Sequence, residues 1–167
     1  MKTARTCFLT ILLALGTSGM NCQGTGSAMM PGGPTGQELF SMISQPIPFE
    51  QWVEFPDRRG TLPSVLPHGP MSRVFINDKV QAALATFSGQ LPDGSIIVKE
   101  NVGTDPSVTE AKLTVMWKVA GFDSANNDWF WANITAGGQV MAEGKVQTCA
   151  ACHGGARSND FVFSHQF

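Results

Sequence analysis

Near the end of the chain, Cys149, Cys152 and His153 stand in the order Cys-Ala-Ala-Cys-His. On a helical turn, two thiols three residues apart can each add to one vinyl group of the same porphyrin, and the adjacent imidazole swings under the ring to bind its iron. The pattern predicts one covalently attached haem c, with His153 as the proximal metal ligand. Other uses of two nearby thiols suit the sequence less well. A structural zinc site needs two further ligands at similar spacing, and the chain has no second close cysteine pair. A thioredoxin-like redox pair belongs in a parallel βαβ setting, and a disulfide between helical positions three apart is strained.

The second axial position separates chemistry from electron carriage. A His or Met there closes the iron, whereas an open position admits small molecules. His68 and His165 are the other histidines, and Met116 and Met141 fall on predicted strands. His68 follows a proline in a predicted loop, His165 lies two residues from the end, and methionines more often fill cores than bind metals. None carries a ligand signature, so an open distal site is the expectation.

The rest of the chain must deliver and hold this site. Lys2 and Arg5 precede an apolar run from Cys7 to Leu15, which reads as a secretory signal over residues 1–21. The run is too short for a membrane span, which needs about 20 apolar residues. An exported, periplasmic location is therefore expected. The formal net charge is −2, with nine basic and thirteen acidic residues left once the signal is removed. With no run of like charges, neither nucleic acid nor an anionic membrane surface is an expected partner. Cys22, just past the apolar run, has no partner thiol and occupies the place of a lipoprotein's lipid-bearing first residue. Gly19-Met20-Asn21 before it departs from the usual lipoprotein signal, so a lipid anchor and ordinary cleavage nearby both stay open.

Residues 22–36 are small, polar and rich in Gly and Pro, as in a flexible tether. A short helix at 37–44 puts Leu39, Phe40 and Ile43 on one side, closing a leading segment at residue 46. From Gln45 to Pro70 the prolines break regular structure, yet Phe49, Trp52, Val53 and Phe55 give the stretch apolar surface for an ordered wrap. A strand at 72–76 leads into a helix started by Asn77 and Asp78, with Gln81 as a capping partner and Val80, Leu84 and Phe87 at helical spacing. Strands follow at Ser95–Val102, Ala111–Ala120, Trp129–Thr135 and Gln139–Glu143. In the second of these, Ala111, Leu113, Val115, Trp117 and Val119 alternate with Lys112, Thr114, Met116 and Lys118, predicting one buried and one polar face. Connections this short imply an antiparallel meander, because parallel neighbours need a long crossover. The predicted fold is mainly β (α+β): an antiparallel meander with one or two packed helices, a C-terminal haem-binding turn at Val146–His153 and a loose tail.

Several of these pieces, in order, resemble one known family. His68-Gly69-Pro70 with Arg73-Val74, Asp93-Gly94-Ser95-Ile96-Ile97-Val98-Lys99-Glu100, Met116-Trp117-Lys118, Asp128-Trp129-Phe130-Trp131, and the haem motif followed by Asn159-Asp160-Phe161-Val162-Phe163 look like the cytochrome P460 domain, over roughly residues 47–167. The resemblance implies a mostly antiparallel β fold, commonly homodimeric, with a five-coordinate haem. In one branch a lysine is joined to the porphyrin edge and the protein oxidises hydroxylamine and handles nitric oxide. In the related cytochromes c-prime-beta the cross-link is absent, the distal pocket is apolar and gases bind.

By the same resemblance Lys99 matches the cross-linking lysine, Arg73 a distal-side arginine able to donate to an iron-bound ligand, and Glu143 the carboxylate that takes protons from hydroxylamine, with Glu100 as its alternative. Read from the residues alone, Lys99 shares a strand face with Ile97. Pointing inward it would be desolvated and nucleophilic; pointing outward it would guard a sheet edge. Arg73 has the plainer alternative of a surface salt bridge. The chain has no Tyr, which excludes the tyrosine cross-link of the larger multihaem hydroxylamine oxidoreductases. Two functions remain in view: an oxidoreductase that passes electrons from hydroxylamine or nitric oxide to a redox partner protein, and a non-enzymatic haem module for gas binding or electron transfer. A lipid on Cys22 would add a third, a haem-bearing domain held beside a membrane partner.

Overall fold

A computed structural model describes residues 32–65, 67–103 and 112–163. The predicted signal, Cys7, Cys22 with most of the tether, Ala111 and His165 lie outside the described residues. Among those described, one antiparallel sheet contains β1 (Val53–Glu54), β2 (Leu62–Pro63), β3 (Met71–Ile76), β4 (Ile96–Val102), β5 (Leu113–Lys118), β6 (Trp129–Ile134) and β7 (Val140–Gly144). Strands β3 to β7 run as the predicted meander. The Pro-rich stretch supplies β1 and β2, which pair with opposite ends of β3: Val53 lies opposite Ile76, and Leu62 opposite Ser72. Three helices join the sheet among the described residues: α1 (Gly36–Ser44), α2 (Asp78–Ala83) and α3 (Gln147–His153).

Side chains alternate between the two faces of a sheet, and here both faces are covered. On one, Phe75, Val98, Val115 and Phe130 pack against Leu39 and Ile43 of α1. Both of these α1 residues are fully buried, worth about 1.5–3 kcal/mol each by transfer arguments. The helix starts at Thr35, whose hydroxyl accepts the Glu38 N–H at 3.1 Å, a side-chain cap for one of the first-turn donors. So α1 belongs to the core rather than to a leader that precedes it.

The other face carries Val74, Ile97, Met116 and Trp131 under Val80 of α2, Ala150 of α3, Phe161 and Val162. Asn77, not Asp78, caps α2: its carbonyl oxygen accepts from Val80 N and Ile96 N, while its amide donates to Gly94 O. Gln81 contributes its backbone N–H to Asn77 O. The expectation of a polar face on β5 is corrected, since Met116 and Lys118 are both buried. Lys118 tolerates this because its ammonium lies 2.6 Å from both oxygens of the buried Asp160 carboxylate.

The expectation of a loose tail is corrected by the same contact. After α3 the chain makes a tight helical turn over Gly154–Asn159. Asp160 and Phe161 then adopt left-handed backbone at φ 53° and 66°, and both are fully buried. Such a conformation costs of order 1–3 kcal/mol per non-glycine residue and persists only where its surroundings enforce it. Here Asp160 accepts from Lys118, Leu91 N and Asn127, and its carbonyl accepts the Trp129 indole N–H at 2.8 Å.

Candidate haem site

Cys149 and His153 are four apart on α3, and Cys149 and Cys152 three apart, so all three share one helix face. That face looks into a cavity of about 550 Å³ between α3 and the sheet, bounded by Val74, Ile97, Lys99, Thr114, Met116 and Trp131 among others. The volume lies within the range of pockets that enclose a small organic ligand. Both cysteines are free thiols, and burial pushes the Cys149 thiol pKa up, which keeps it protonated.

His153 is held from one side. Its Nδ1 lies 2.7 Å from the carbonyl oxygen of Phe161. With Nδ1–H donating there, Nε2 keeps its lone pair for a metal, the arrangement by which ligating histidines are oriented. Burial lowers the His153 pKa, the hydrogen bond to Phe161 acts against that, and Lys99 adds to it; the outcome favours the neutral, ligating form. The two left-handed residues at 160 and 161 thus have a local purpose. They turn the Phe161 carbonyl back onto the imidazole eight residues earlier.

Several observations indicate that a haem suits this cavity. Cys149, Cys152 and His153 share one wall, and the walls are mainly apolar. The buried Trp131 indole nitrogen and Ser64 hydroxyl, both on residues of the lining, have no hydrogen-bond partner in the protein. Buried polar groups are nearly always paired, so these two call for an occupant with acceptor oxygens. The macrocycle is apolar and its two propionates are acceptors.

Of the residues singled out from the sequence, Cys149, Cys152, His153 and Lys99 come together on this cavity, as do His68 and Met116. Lys99 lies opposite Val74 and Thr114 in the sheet, and its pKa is lowered to about 8, first by burial and then by the nearby Arg58 guanidinium. Arg73, Glu100 and Glu143 are not brought there. Arg73 sits over the Phe75 ring, on the face that α1 covers, and binds the Glu100 carboxylate at 2.6 Å; Lys112 also reaches Glu100, at 3.1 Å. Those partners outweigh burial and hold the Glu100 carboxyl below its usual range. Glu143 is opposite Ala132 in the sheet, on that same face, and its carboxylate accepts the Gly36 N–H at the start of α1.

Two further residues border the site, one set aside in the sequence and one that carried no signal there. His68, weighed from the sequence as an axial ligand and set aside, reaches the cavity from the connection between β2 and β3. Its Nδ1 is 3.0 Å from the Thr114 hydroxyl, and its ring centre is 6.1 Å from that of His153. Burial, with Lys99 and His153 nearby, lowers its pKa to about 4. Arg58 borders the same space while donating to Pro63 O at 3.2 Å. A histidine followed by Gly69 at φ 75°, a tight turn that glycine permits, was the one available hint of a loop pinned for a purpose.

Among the described residues, no helix is long and apolar enough to cross a membrane. No curated protein matches the chain. The model of the family described as Cytochrome P460 matches residues 48–164, a span that holds the whole sheet, the cavity and the Cys-Ala-Ala-Cys-His segment. With most of its length inside that match, and a cavity suited to the haem that P460 cytochromes bind, the chain belongs to the cytochrome P460 family.

Proposed function

We propose that the protein is an exported mono-haem c-type cytochrome whose haem is joined to Cys149 and Cys152, bound at iron by His153, and used to oxidise hydroxylamine or to handle nitric oxide. The observation that carries this reading is Lys99: an amine with its pKa lowered to about 8 borders the same cavity as the three attachment groups. A bound haem supplies a redox-active iron for a small nitrogen ligand. The protein's own contribution is to orient His153 through Phe161, to surround the site with apolar side chains that limit water, and to present a largely desolvated amine. Joining Lys99 to the porphyrin edge forms a C–N bond at the expense of one N–H and one C–H bond. It releases two protons and passes two electrons to an oxidant of the peroxide class.

A non-enzymatic module for gas binding or electron transfer is favoured by a different observation. Among the described residues, no carboxylate lines the cavity, so hydroxylamine has no Asp or Glu beside it to take its protons. Electron delivery to a redox partner, or pairing with a second copy of the chain, has support in the apolar rim. Val65 and Phe163, both on residues of the cavity lining, are 75% and 62% exposed. Export and a lipid on Cys22 rest on the sequence signals alone.

The test is peptide mass spectrometry of the purified holoprotein together with hydroxylamine turnover using an artificial electron acceptor. A haem-modified Lys99 peptide and turnover are expected of the oxidoreductase. Unmodified Lys99 beside intact haem, with no turnover, would leave the non-enzymatic module.

A further inference from the structure

We infer that Arg58 and the Ser64 hydroxyl hold one haem propionate, so that the porphyrin is seated with its propionate-bearing end beside Lys99. The inference rests on the haem reading above and requires no iron ligand beyond His153.

Charge points to it first. Arg58 and Lys99 both border the cavity, and no carboxylate among the described residues borders it with them. The salt bridges among the described residues join Arg73 and Lys112 to Glu100 and Lys118 to Asp160, so neither cavity cation has a carboxylate partner. Glu54, at the start of the same loop, accepts the Gly60 N–H at 2.9 Å instead. The guanidinium is near enough to Lys99 to lower the amine's pKa, which brings the two positive charges into one part of the cavity. Removing a cation from water without a counter-ion is costly, and a haem brings two carboxylates.

The donors are also fixed in advance. Arg58 donates its backbone N–H to the carbonyl of the buried Phe55 at 2.8 Å and its Nη2 to Pro63 O at 3.2 Å. The other donors of the guanidinium fork stay available. Ser64, the residue after Pro63, is held by its N–H on Pro70 O at 2.8 Å, and its buried hydroxyl has no partner among the described residues. Arg58, Pro63 and Ser64 all line the cavity. A guanidinium anchored on one residue and a hydroxyl on the next supply charge-assisted bonds of the kind that bind a carboxylate. His68 adds no charge to this group, because its pKa of about 4 leaves it neutral at physiological pH.

The covalent chemistry agrees with this seating. The vinyl groups and the propionates of a haem occupy opposite ends of the macrocycle, and in the reading above α3 takes the vinyl end through Cys149 and Cys152. The propionate end then needs a separate wall, and Arg58 and Ser64 belong to the chain between β1 and β3 rather than to α3.

The experiment is an infrared titration of purified holoprotein carrying isotope-labelled propionates, which separates their carboxyl stretches from those of Asp and Glu. In wild type one propionate is expected to titrate below the ordinary carboxylate value of about 4. Arg58→Gln should raise that pKa by about 1–3 units. Arg58→Lys should recover part of the rise, and Ser64→Ala should shift it in the same direction by less. Equal titration in Arg58→Gln and wild type overturns the inference, in favour of Lys99 as the propionate's partner. If Arg58→Gln fails to accumulate, wild type still decides: two propionates that both protonate above about pH 5 have no cation beside them, and the inference falls. Haem-bearing protein with such propionates defeats this inference alone, whereas a chain without haem defeats the functional reading on which it stands.

Discussion

Lys99 and Glu100 are neighbours on β4 and serve opposite faces of the sheet: Lys99 borders the cavity with His153, and Glu100 closes a 2.6 Å salt bridge with Arg73 on the face covered by α1. This one alternation separates the residues that can meet a haem from those that hold the sheet. It leaves Lys99 beside the cavity and Arg73, Glu100 and Glu143 away from it.

The first expected outcome concerns these side chains together. Lys99→Leu should keep the haem but lose any modified Lys99 peptide and any red shift of the ferrous Soret band. Glu143→Gln should leave the ferrous spectrum and the hydroxylamine rate within twofold of wild type. A tenfold loss of rate in Glu143→Gln would show that the carboxylate acts on the substrate after all.

The Lys99 amine should titrate early. In apoprotein, its acylation by a limiting amount of acetic anhydride should rise through a midpoint near pH 8, whereas exposed lysines rise near 10.4. A midpoint for Lys99 above 10 would mean that the amine is solvated and not poised for bonding to a porphyrin.

The Lys118–Asp160 pair predicts a stability cost. Removing one partner leaves the other charge buried, typically at a cost of 3–5 kcal/mol. Asp160→Ala should therefore lower the urea unfolding free energy by about that amount, with further loss from its bonds to Leu91 and Asn127. A change below about 1 kcal/mol would show that the pair does not hold the final turn in place.

Leu39→Ala tests whether α1 is part of the core. Truncating a fully buried leucine costs about 2–5 kcal/mol depending on how far the site collapses, and Leu39 is 0% exposed. A loss under 0.5 kcal/mol would make α1 a dispensable leader.

His68 predicts a pH dependence in the apoprotein. Its folded pKa of about 4 lies below the usual 6.5, so between these values the unfolded chain binds the extra proton and stability rises with pH. The contribution is complete above pH 6.5 and is lost as the pH falls towards 4; the lowered pKa of His153 acts in the same direction. Urea melts of His68→Gln apoprotein should show a shallower loss between pH 6.5 and 4 than wild type. An equal slope would mean that the imidazole is not desolvated.

Much of this was legible from local chemistry. Strands β3 to β7 followed from alternation and short turns, α2 from Asn77, and the shared helix face of Cys149, Cys152 and His153 from their spacing alone. What stayed hidden depended on partners far away in sequence. Lys118 reads as solvent-facing until Asp160, 42 residues on, neutralises it. The segment after His153 reads as loose because nothing local announces that Phe161 will be buried against β6. Alternation put Lys99 and Glu100 on opposite faces but could not say which face held the cavity. His68 looked inert because what its ring meets, the Thr114 hydroxyl and the His153 ring, lies 46 and 85 residues further along the chain.

The central claim is covalent haem on Cys149 and Cys152, and a denaturing gel stained for haem tests it most directly. Protein matured with cytochrome c assembly machinery, then extracted with acidified acetone, should retain pigment that migrates with the chain, and Cys149→Ala/Cys152→Ala should retain none. A wild-type chain that emerges colourless, or yields its pigment to the acid extraction, would contradict the account.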